Sequence, residues 1–271
     1  MAGFLFRVYS WCGGRIRMLM SIVPRKAAAV VLVRPSPGAD GADGPFEVFL
    51  TRRPESMAFA GGNFVFPGGK LDPSDYAPEN LALALGMEAE RAARLLGDGE
   101  LPERSLGFWL AAIRELFEEA GILLCTTLEG GNPNLESQEM PARLATGRQE
   151  VYQRTRTLAS LMRELDLYYS PADLFYLARW ITPVYFPMRF DARYFLCQIP
   201  AGQVPTACRR EVSGVRWIQP AEALGRWRAG EFKMRGPTAS TLMHLARYPN
   251  HSSLLDAARC GKLAFRSLTA E

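Results

Sequence analysis

Residues 112–122, AIRELFEEAGI, place three carboxylates on one face of a predicted helix over residues 105–120. At about 100° per residue, Glu115, Glu118 and Glu119 fall within an arc of roughly 100°, opposite an apolar arc of similar width. Like charges at this spacing repel one another, and the C-terminal end of a helix dipole disfavours anions. A bound divalent cation would remove both penalties, whereas the ordinary alternative is a solvated acidic face.

A second polar segment, residues 68–75 with the sequence GGKLDPSD, follows a short predicted strand over residues 63–66. Glycine tolerates tight turns, so a backbone carbonyl at Gly68 or Gly69 can face a metal ion. Carboxylate and carbonyl oxygens are ligands for Mg²⁺, Mn²⁺ or Ca²⁺ rather than for zinc. The turn and the acidic helix therefore indicate one site for a hard cation.

Together the two segments resemble the Nudix box, G-x5-E-x7-R-E-U-x-E-E-x-G-U, in which U is aliphatic. Residues 69–75 match its first part, with Asp75 in place of glutamate, and residues 114–122 match its second part in full. Because 38 residues separate Asp75 from Arg114 where the pattern has seven, the box is interrupted by an insertion. The resemblance implies an α/β (α+β) Nudix fold, in which a mixed β-sheet is sandwiched between α-helices.

The resemblance also implies a Mg²⁺- or Mn²⁺-dependent hydrolase that cuts a diphosphate bond. It assigns the metal ligands to Glu115, Glu118, Glu119 and the backbone at Gly68. Arg114 is expected to orient a carboxylate, with Asp75 as its partner. Glu115 and Glu211 are both candidates for the general base, and a surface glutamate is the ordinary alternative for Glu211.

The segment upstream of the box resembles the signature of coenzyme A-cleaving Nudix enzymes, L-L-T-x-R-[SA]-x3-R-x3-G-x3-F-P-G-G. The matching residues are Leu50, Thr51, Arg53, Gly62 and residues 66–69, and the departures are Phe49, Pro54 and Ala58. The interrupted box, followed by residues 180–183 and 189–195, is similar to the acyl-coenzyme A diphosphatase branch. The resemblance implies substrate contacts at Arg52, Arg53, Phe66, Gly69, Arg189 and Arg193. For each arginine, a surface salt bridge is the alternative.

The substrate implied by this branch is coenzyme A or an acyl-coenzyme A, cleaved to 3′,5′-ADP and the 4′-phosphopantetheine. Two alternatives stay open. The first is a Nudix pyrophosphatase acting on a nucleotide sugar, a dinucleotide or a capped RNA. The second is a non-catalytic Nudix-fold nucleotide sensor.

Composition limits the partners and the compartment. The net charge is +4 and the basic residues form no concentrated stripe, so no nucleic-acid partner is expected. No apolar run has the roughly 18 residues of a membrane span. Five scattered cysteines without a CxxC pair favour a reducing cytoplasm. A homodimer is left open.

The expected organisation has three parts. Residues 1–24 are interpreted as a leader, either disordered or preceding the true start. Residues 25–249 form the Nudix domain, with a helical insertion at about 76–106 that we expect to act as a lid, and residues 250–271 form a C-terminal helical extension. Further strands are predicted over residues 26–34, 46–52, 178–183, 192–199 and 212–218, and further helices over 142–165, 220–229, 238–247 and 252–260.

Overall fold

The computed structural model describes residues 6–12, 15–38, 43–57, 60–137, 139–208 and 212–265, with side chains from residue 22 onward. The first two strands, β1 (Phe6–Cys12) and β2 (Arg15–Ser21), pair as an antiparallel hairpin. Both strands lie within residues 1–24, the segment interpreted as a leader, and the sequence analysis did not predict them.

In the described part of the chain, seven strands form one mixed sheet. They are β3 (Arg25–Pro35), β4 (Phe46–Arg52), β5 (Phe64–Val65), β6 (Gly68–Lys70), β9 (Phe175–Ile181), β10 (Phe190–Gln198) and β11 (Gly214–Ile218). The order is β11-β4-β3-β10-β9, with β5 beside β4 and β6 beside β3. Only the β3–β10 pair is parallel among these pairings. Strands β7 (Cys125–Thr126) and β8 (Tyr168–Tyr169) form a separate small ribbon.

Helices cover both faces of this sheet, as the Nudix resemblance predicts. They are α1 (Pro78–Leu81), α2 (Ala89–Leu96), α3 (Pro102–Ala120), α4 (Met140–Tyr152), α5 (Leu158–Glu164), α6 (Pro220–Arg228), α7 (Gly236–Leu245) and α8 (His251–Arg259). Side chains alternate across β3, so Val30 and Leu32 pack toward α2, α3 and α5, whereas Val31 and Val33 pack toward α6, α7 and α8. Burial on both faces explains why β3 is an unbroken apolar run. In the part of the chain that the structure describes, no helix combines the length and the apolarity needed to cross a membrane.

One predicted helix is wrong in its extent. The helix predicted over residues 142–165 is two helices, α4 and α5, separated by residues 153–157. Arg154 takes a left-handed conformation, with a φ of 59°, and this ends α4. The Thr157 side chain then accepts a hydrogen bond from the Ser160 amide at 3.2 Å and caps the start of α5.

The insertion in the box is part of the hydrophobic core. Ala92 and Leu96 on α2 are buried against α3. The loop that follows α2 carries Asp98 and Glu100, which form ion pairs with Arg193 on β10 and Lys26 on β3, respectively. This packing ties the insertion to the core of the domain, and the lid expected from the sequence stays a prediction.

Candidate active site

The glycine turn and the acidic helix, which are far apart in sequence, are in contact in the fold. Strand β6 pairs with β3, so Gly69 lies opposite Ala28 and Gly68 opposite Ala29. The Gly68 amide donates a hydrogen bond to Oε2 of Glu119 at 3.3 Å. A Cβ atom on Gly69 would lie 2.6 Å from Cδ of Glu115, so a larger residue here would displace the Glu115 carboxylate.

Arg114 is the centre of the hydrogen-bond network at this contact. Its Nε and Nη2 atoms donate to both carboxylate oxygens of Asp75, at 2.8 and 2.9 Å. Its Nη2 also donates to the Lys70 carbonyl at 2.9 Å, and its Nη1 donates to Glu115 at 2.8 Å and to Glu118 at 3.0 Å. These bonds use all five N–H donors of the guanidinium. Arg114 therefore ties both halves of the interrupted box together.

The carboxylates around Arg114 are buried and carry excess negative charge. Glu115 is 8% exposed and Glu119 is 6% exposed. Burial raises the pKa of Glu115 to about 7 although Arg114 opposes the shift, and burial also raises the pKa of Glu118. Burial disfavours the charge of Arg114, but Glu115 and Asp75 hold its pKa well above the ordinary value. One arginine thus pairs with three carboxylates, an imbalance that a further cation would relieve.

The donor set fits a hard divalent ion in composition. In this conformation two of the three helix carboxylates, Glu115 and Glu118, turn toward Arg114. Among the described residues, no three acidic, cysteine or histidine side chains surround one common metal position. The buried oxygen donors, beside a glycine that lets Glu115 approach the backbone of β6, nevertheless match the oxygen coordination of a hard divalent cation.

The C-terminal end of α3 is held by partners that the sequence analysis missed. Gly121 ends the helix in a left-handed conformation, with a φ of 70°. Arg148 on α4 donates to the Glu118 carbonyl from Nε at 3.1 Å and from Nη2 at 2.9 Å. The Cys208 amide donates to the Glu119 carbonyl at 3.0 Å. These contacts fix the backbone from which two of the glutamates project, and because they join distant segments no local pattern reveals them.

Two of the predicted substrate contacts belong to the interior of the protein. Phe66 is buried, and the edge of its ring faces Tyr194 at a centroid distance of 6.1 Å. The Arg193 side chain is 0% exposed. Its guanidinium forms ion pairs with Asp98 and, at 2.7 Å, with Asp191, and it lies 4.2 Å from the centre of the Phe108 ring. Neither side chain has exposed surface to offer a substrate in this conformation.

The other predicted contacts differ in accessibility. Arg189 is buried and donates to the carbonyls of Thr182 at 2.9 Å and Ile22 at 2.7 Å. Arg52 is 42% exposed and pairs with Glu55 at 2.8 Å, and Arg53 is partly buried beside it. Glu211, the second candidate base, lies outside the described residues.

The comparison with solved structures identifies the class of protein. A Nudix hydrolase from Alicyclobacillus acidocaldarius is 26% identical and matches with a TM-score of 0.67, covering 92% of this chain and 98% of that chain. The mixed sheet between helices, with the two halves of the box in contact, is thus the fold of a Nudix hydrolase. The model of the NUDT19 Nudix domain matches residues 87–245, which is more than half of the chain, and the chain belongs to this family.

Two sequence relatives from different organisms carry the same name. A human protein named acyl-coenzyme A diphosphatase NUDT19 is 29% identical over 269 residues, covering 85% of this chain and 70% of the relative. Its Xenopus laevis namesake is 25% identical over 229 residues, covering 75% of this chain and 60% of the relative. The chain therefore spans 60–70% of the length of these two relatives.

Proposed function

We propose that the chain is a Mg²⁺- or Mn²⁺-dependent diphosphatase that hydrolyses coenzyme A or an acyl-coenzyme A to 3′,5′-ADP and the corresponding 4′-phosphopantetheine. The observation that carries the proposal is the contact of the glycine turn with the acidic helix through Arg114 and Asp75, across the inserted segment. The names of the two relatives support coenzyme A as the substrate class.

Each residue of this contact has a proposed task. Glu115, Glu118 and Glu119, with the carbonyl of Gly68, would hold the divalent ion. When bound, the ion supplies positive charge for the diphosphate oxygens and lowers the pKa of a bound water. Arg114 keeps Glu115 and Glu118 in place through its Nη1 atom. Glu115 is our first candidate to take a proton from the attacking water, and Glu211 is the second.

Contacts to the phosphate groups of the substrate are proposed on two sides of the glutamates. Arg52 and Arg53 keep the role implied by the upstream signature. A cavity of about 280 Å³ is lined by Glu118 together with Arg154 and Arg156. Arg154 also pairs with Asp72 in the glycine turn, at 3.0 Å. Guanidinium groups beside a metal-binding carboxylate suit a phosphorylated substrate.

The remaining expectations stay proposals. The described cysteines Cys125, Cys197, Cys208 and Cys260 are free thiols, which agrees with the reducing cytoplasm that we propose. We keep a small nucleotide derivative as the only proposed partner besides a second copy of the chain.

The test is mass spectrometry of the products formed from a mixture of coenzyme A, acyl-coenzyme A esters and nucleotide sugars with Mg²⁺. We expect 3′,5′-ADP and 4′-phosphopantetheines, with no products in EDTA. If only the nucleotide sugars were cleaved, they would replace coenzyme A as the assigned substrate. Binding without any cleavage would instead favour a nucleotide sensor and overturn the enzymatic proposal.

A further inference from the structure

A groove of about 910 Å³ lies at the C-terminal end of α3, outside the site described above. Its lining includes apolar side chains (Leu144, Phe175, Ile199, Val204), carboxamides (Asn132, Gln198) and charged side chains (Glu136, Arg148, Asp173, Arg259). Val204 is 78% exposed at the rim of the groove. In the described part of the chain, no protein group hydrogen-bonds to the carboxamides of Asn132 and Gln198. The lining thus offers both apolar surface and free amide donors and acceptors.

The groove begins within one helical turn of the proposed metal ligands. Gly121, the residue that ends α3, lies in its wall, and at about 1.5 Å per residue the backbone of Glu118 is roughly 5 Å away along the helix. Arg148 belongs to the same wall and donates two hydrogen bonds to the Glu118 carbonyl. The groove and the proposed metal ligands therefore adjoin the same end of α3, with Arg148 between them.

We propose that this groove binds the acyl-pantetheine arm of an acyl-coenzyme A while the diphosphate lies at the glutamates. This inference rests on the proposed function and adds the location of the arm. The arm contains two amide groups followed by a thioester and an alkyl chain. The carboxamides match the amides, and the apolar side chains match the alkyl chain.

The dimensions agree with such a ligand. An extended arm with two amide units reaches about 15 Å from the diphosphate, which is more than the single helical turn that separates the glutamates from the groove. Pockets for ligands of this size have volumes of roughly 300–1,000 Å³, and the groove is within that range. The groove therefore has room for the arm and for an attached acyl chain.

The test compares two variants in which an alanine of α4 is replaced by tryptophan. Ala145 lines the groove, whereas Ala142 is exposed on the same helix and does not line it. The readout is the kcat/KM ratio for octanoyl-coenzyme A over unacylated coenzyme A. We expect Ala145→Trp to lower this ratio at least tenfold and Ala142→Trp to leave it unchanged. Val204→Asp, which places a charge on an exposed loop at the groove, should lower it in the same direction and is not expected to impair folding.

Each result decides the question. Equal ratios in Ala145→Trp, Val204→Asp and the unaltered chain would overturn the groove assignment while the proposed function stands. An equal loss for both substrates would leave only the pantetheine portion, which both share, in the groove and would overturn the placement of the acyl chain there. If the unaltered chain cleaves no coenzyme A derivative, the proposed function fails and the groove assignment falls with it.

Discussion

At the scale of single residues, the site depends on an imbalance of charge around Arg114. The guanidinium uses all five donors, and its charge lowers the pKa of Glu115 and Glu118. Burial has the larger effect, so the pKa values of both groups are raised. A purely structural ion pair would be expected to hold its carboxylates ionised. The excess of buried carboxylates is therefore the feature that distinguishes a cation site from a solvated acidic face.

Glu119 provides the most direct residue-scale prediction. We expect Glu119→Gln to lower kcat by about 100-fold or more, because a ligand charge is lost while the side-chain shape is kept. Its hydrogen bond from the Gly68 amide can survive in the variant, so the circular dichroism spectrum and the melting temperature should change little. Glu103→Gln, on an exposed position of the same helix, is the matched control and should turn over normally. Near-normal turnover of Glu119→Gln at saturating Mg²⁺ would contradict the ligand assignment.

Asp75 supplies a second prediction at this scale. Asp75→Asn weakens the two-bond pair with the buried Arg114, which keeps Glu115 and Glu118 as partners, so we expect a loss of about 1.5–3 kcal/mol, typical of hydrogen bonds to a charged group. Denaturant unfolding should show this loss of stability. The exposed pair Asp256–Arg259 serves as the comparison, since Asp256→Asn should cost less than about 1 kcal/mol. A loss no larger than that of the control would show that Asp75 does not support the box.

At the scale of elements, the insertion is held to the sheet by a second ion network. Asp98 and Glu100, in the connection from α2 to α3, reach the fully buried Arg193, with Glu100 at the outer limit of 4.0 Å. Arg193 also pairs with Asp191, which itself accepts two hydrogen bonds from Arg179 on β9. The inserted segment, β9 and β10 are thereby joined on one side of the molecule.

This network predicts a stability defect where the lid hypothesis predicts a kinetic one. We expect Asp98→Asn to lower the free energy of unfolding by about 3 kcal/mol, because Arg193 has no exposed surface through which water could replace the lost charge. Urea unfolding measures the loss, and Michaelis constants measured on the folded fraction should stay within about twofold. If Asp98→Asn changed KM and left the free energy of unfolding unaltered, the result would support the lid hypothesis instead.

The sequence predicted elements that carry a strong local pattern. The apolar run of β3, the helix α3 ended by Gly121 and the three C-terminal helices all lie within a few residues of their predicted bounds. The break between α4 and α5 escaped prediction because neither glycine nor proline marks it, and a left-handed Arg154 ends the helix instead.

The same contrast holds for the candidate site. The Nudix box is a local pattern, so both of its halves could be recognised despite the insertion. The partners of Arg193 and Arg148 lie on other elements of the fold, so the sequence could not distinguish a structural arginine from one that contacts substrate. Long-range pairing of charges depends on tertiary structure, which explains why the sequence revealed the two halves of the box but not the surroundings of these arginines.

At the scale of the whole molecule, the two buried ion networks differ in charge balance. Around Arg114 the carboxylates outnumber the cation. In the second network, by contrast, the three carboxylates of Asp98, Glu100 and Asp191 are paired with four cations, Arg193, Arg179, Lys26 and Arg104. A network in which every carboxylate has a cationic partner needs no bound cation and can stabilise the fold, whereas an excess of carboxylates favours a bound cation.

The network around Arg193 makes the stability of the protein sensitive to acid. Burial by itself would raise the pKa of Asp191, but the hydrogen bonds with Arg179 and Arg193 hold it below the ordinary value. A carboxyl group with a lowered folded pKa stabilises the fold above its unfolded pKa of about 3.9. That contribution is lost as the pH falls from there through the folded pKa. The free energy of unfolding should therefore decrease on acidification below about pH 5.

Asp191→Asn tests this dependence on pH. The variant should be less stable at pH 7, because Arg193 loses a partner, and its stability should fall less steeply than that of the unaltered chain between about pH 5 and pH 3. Denaturant midpoints measured across this range give both slopes. Asp256→Asn, which removes an exposed carboxylate, should keep the slope of the unaltered chain. An unchanged slope in Asp191→Asn would overturn the assignment of the acid response to Asp191.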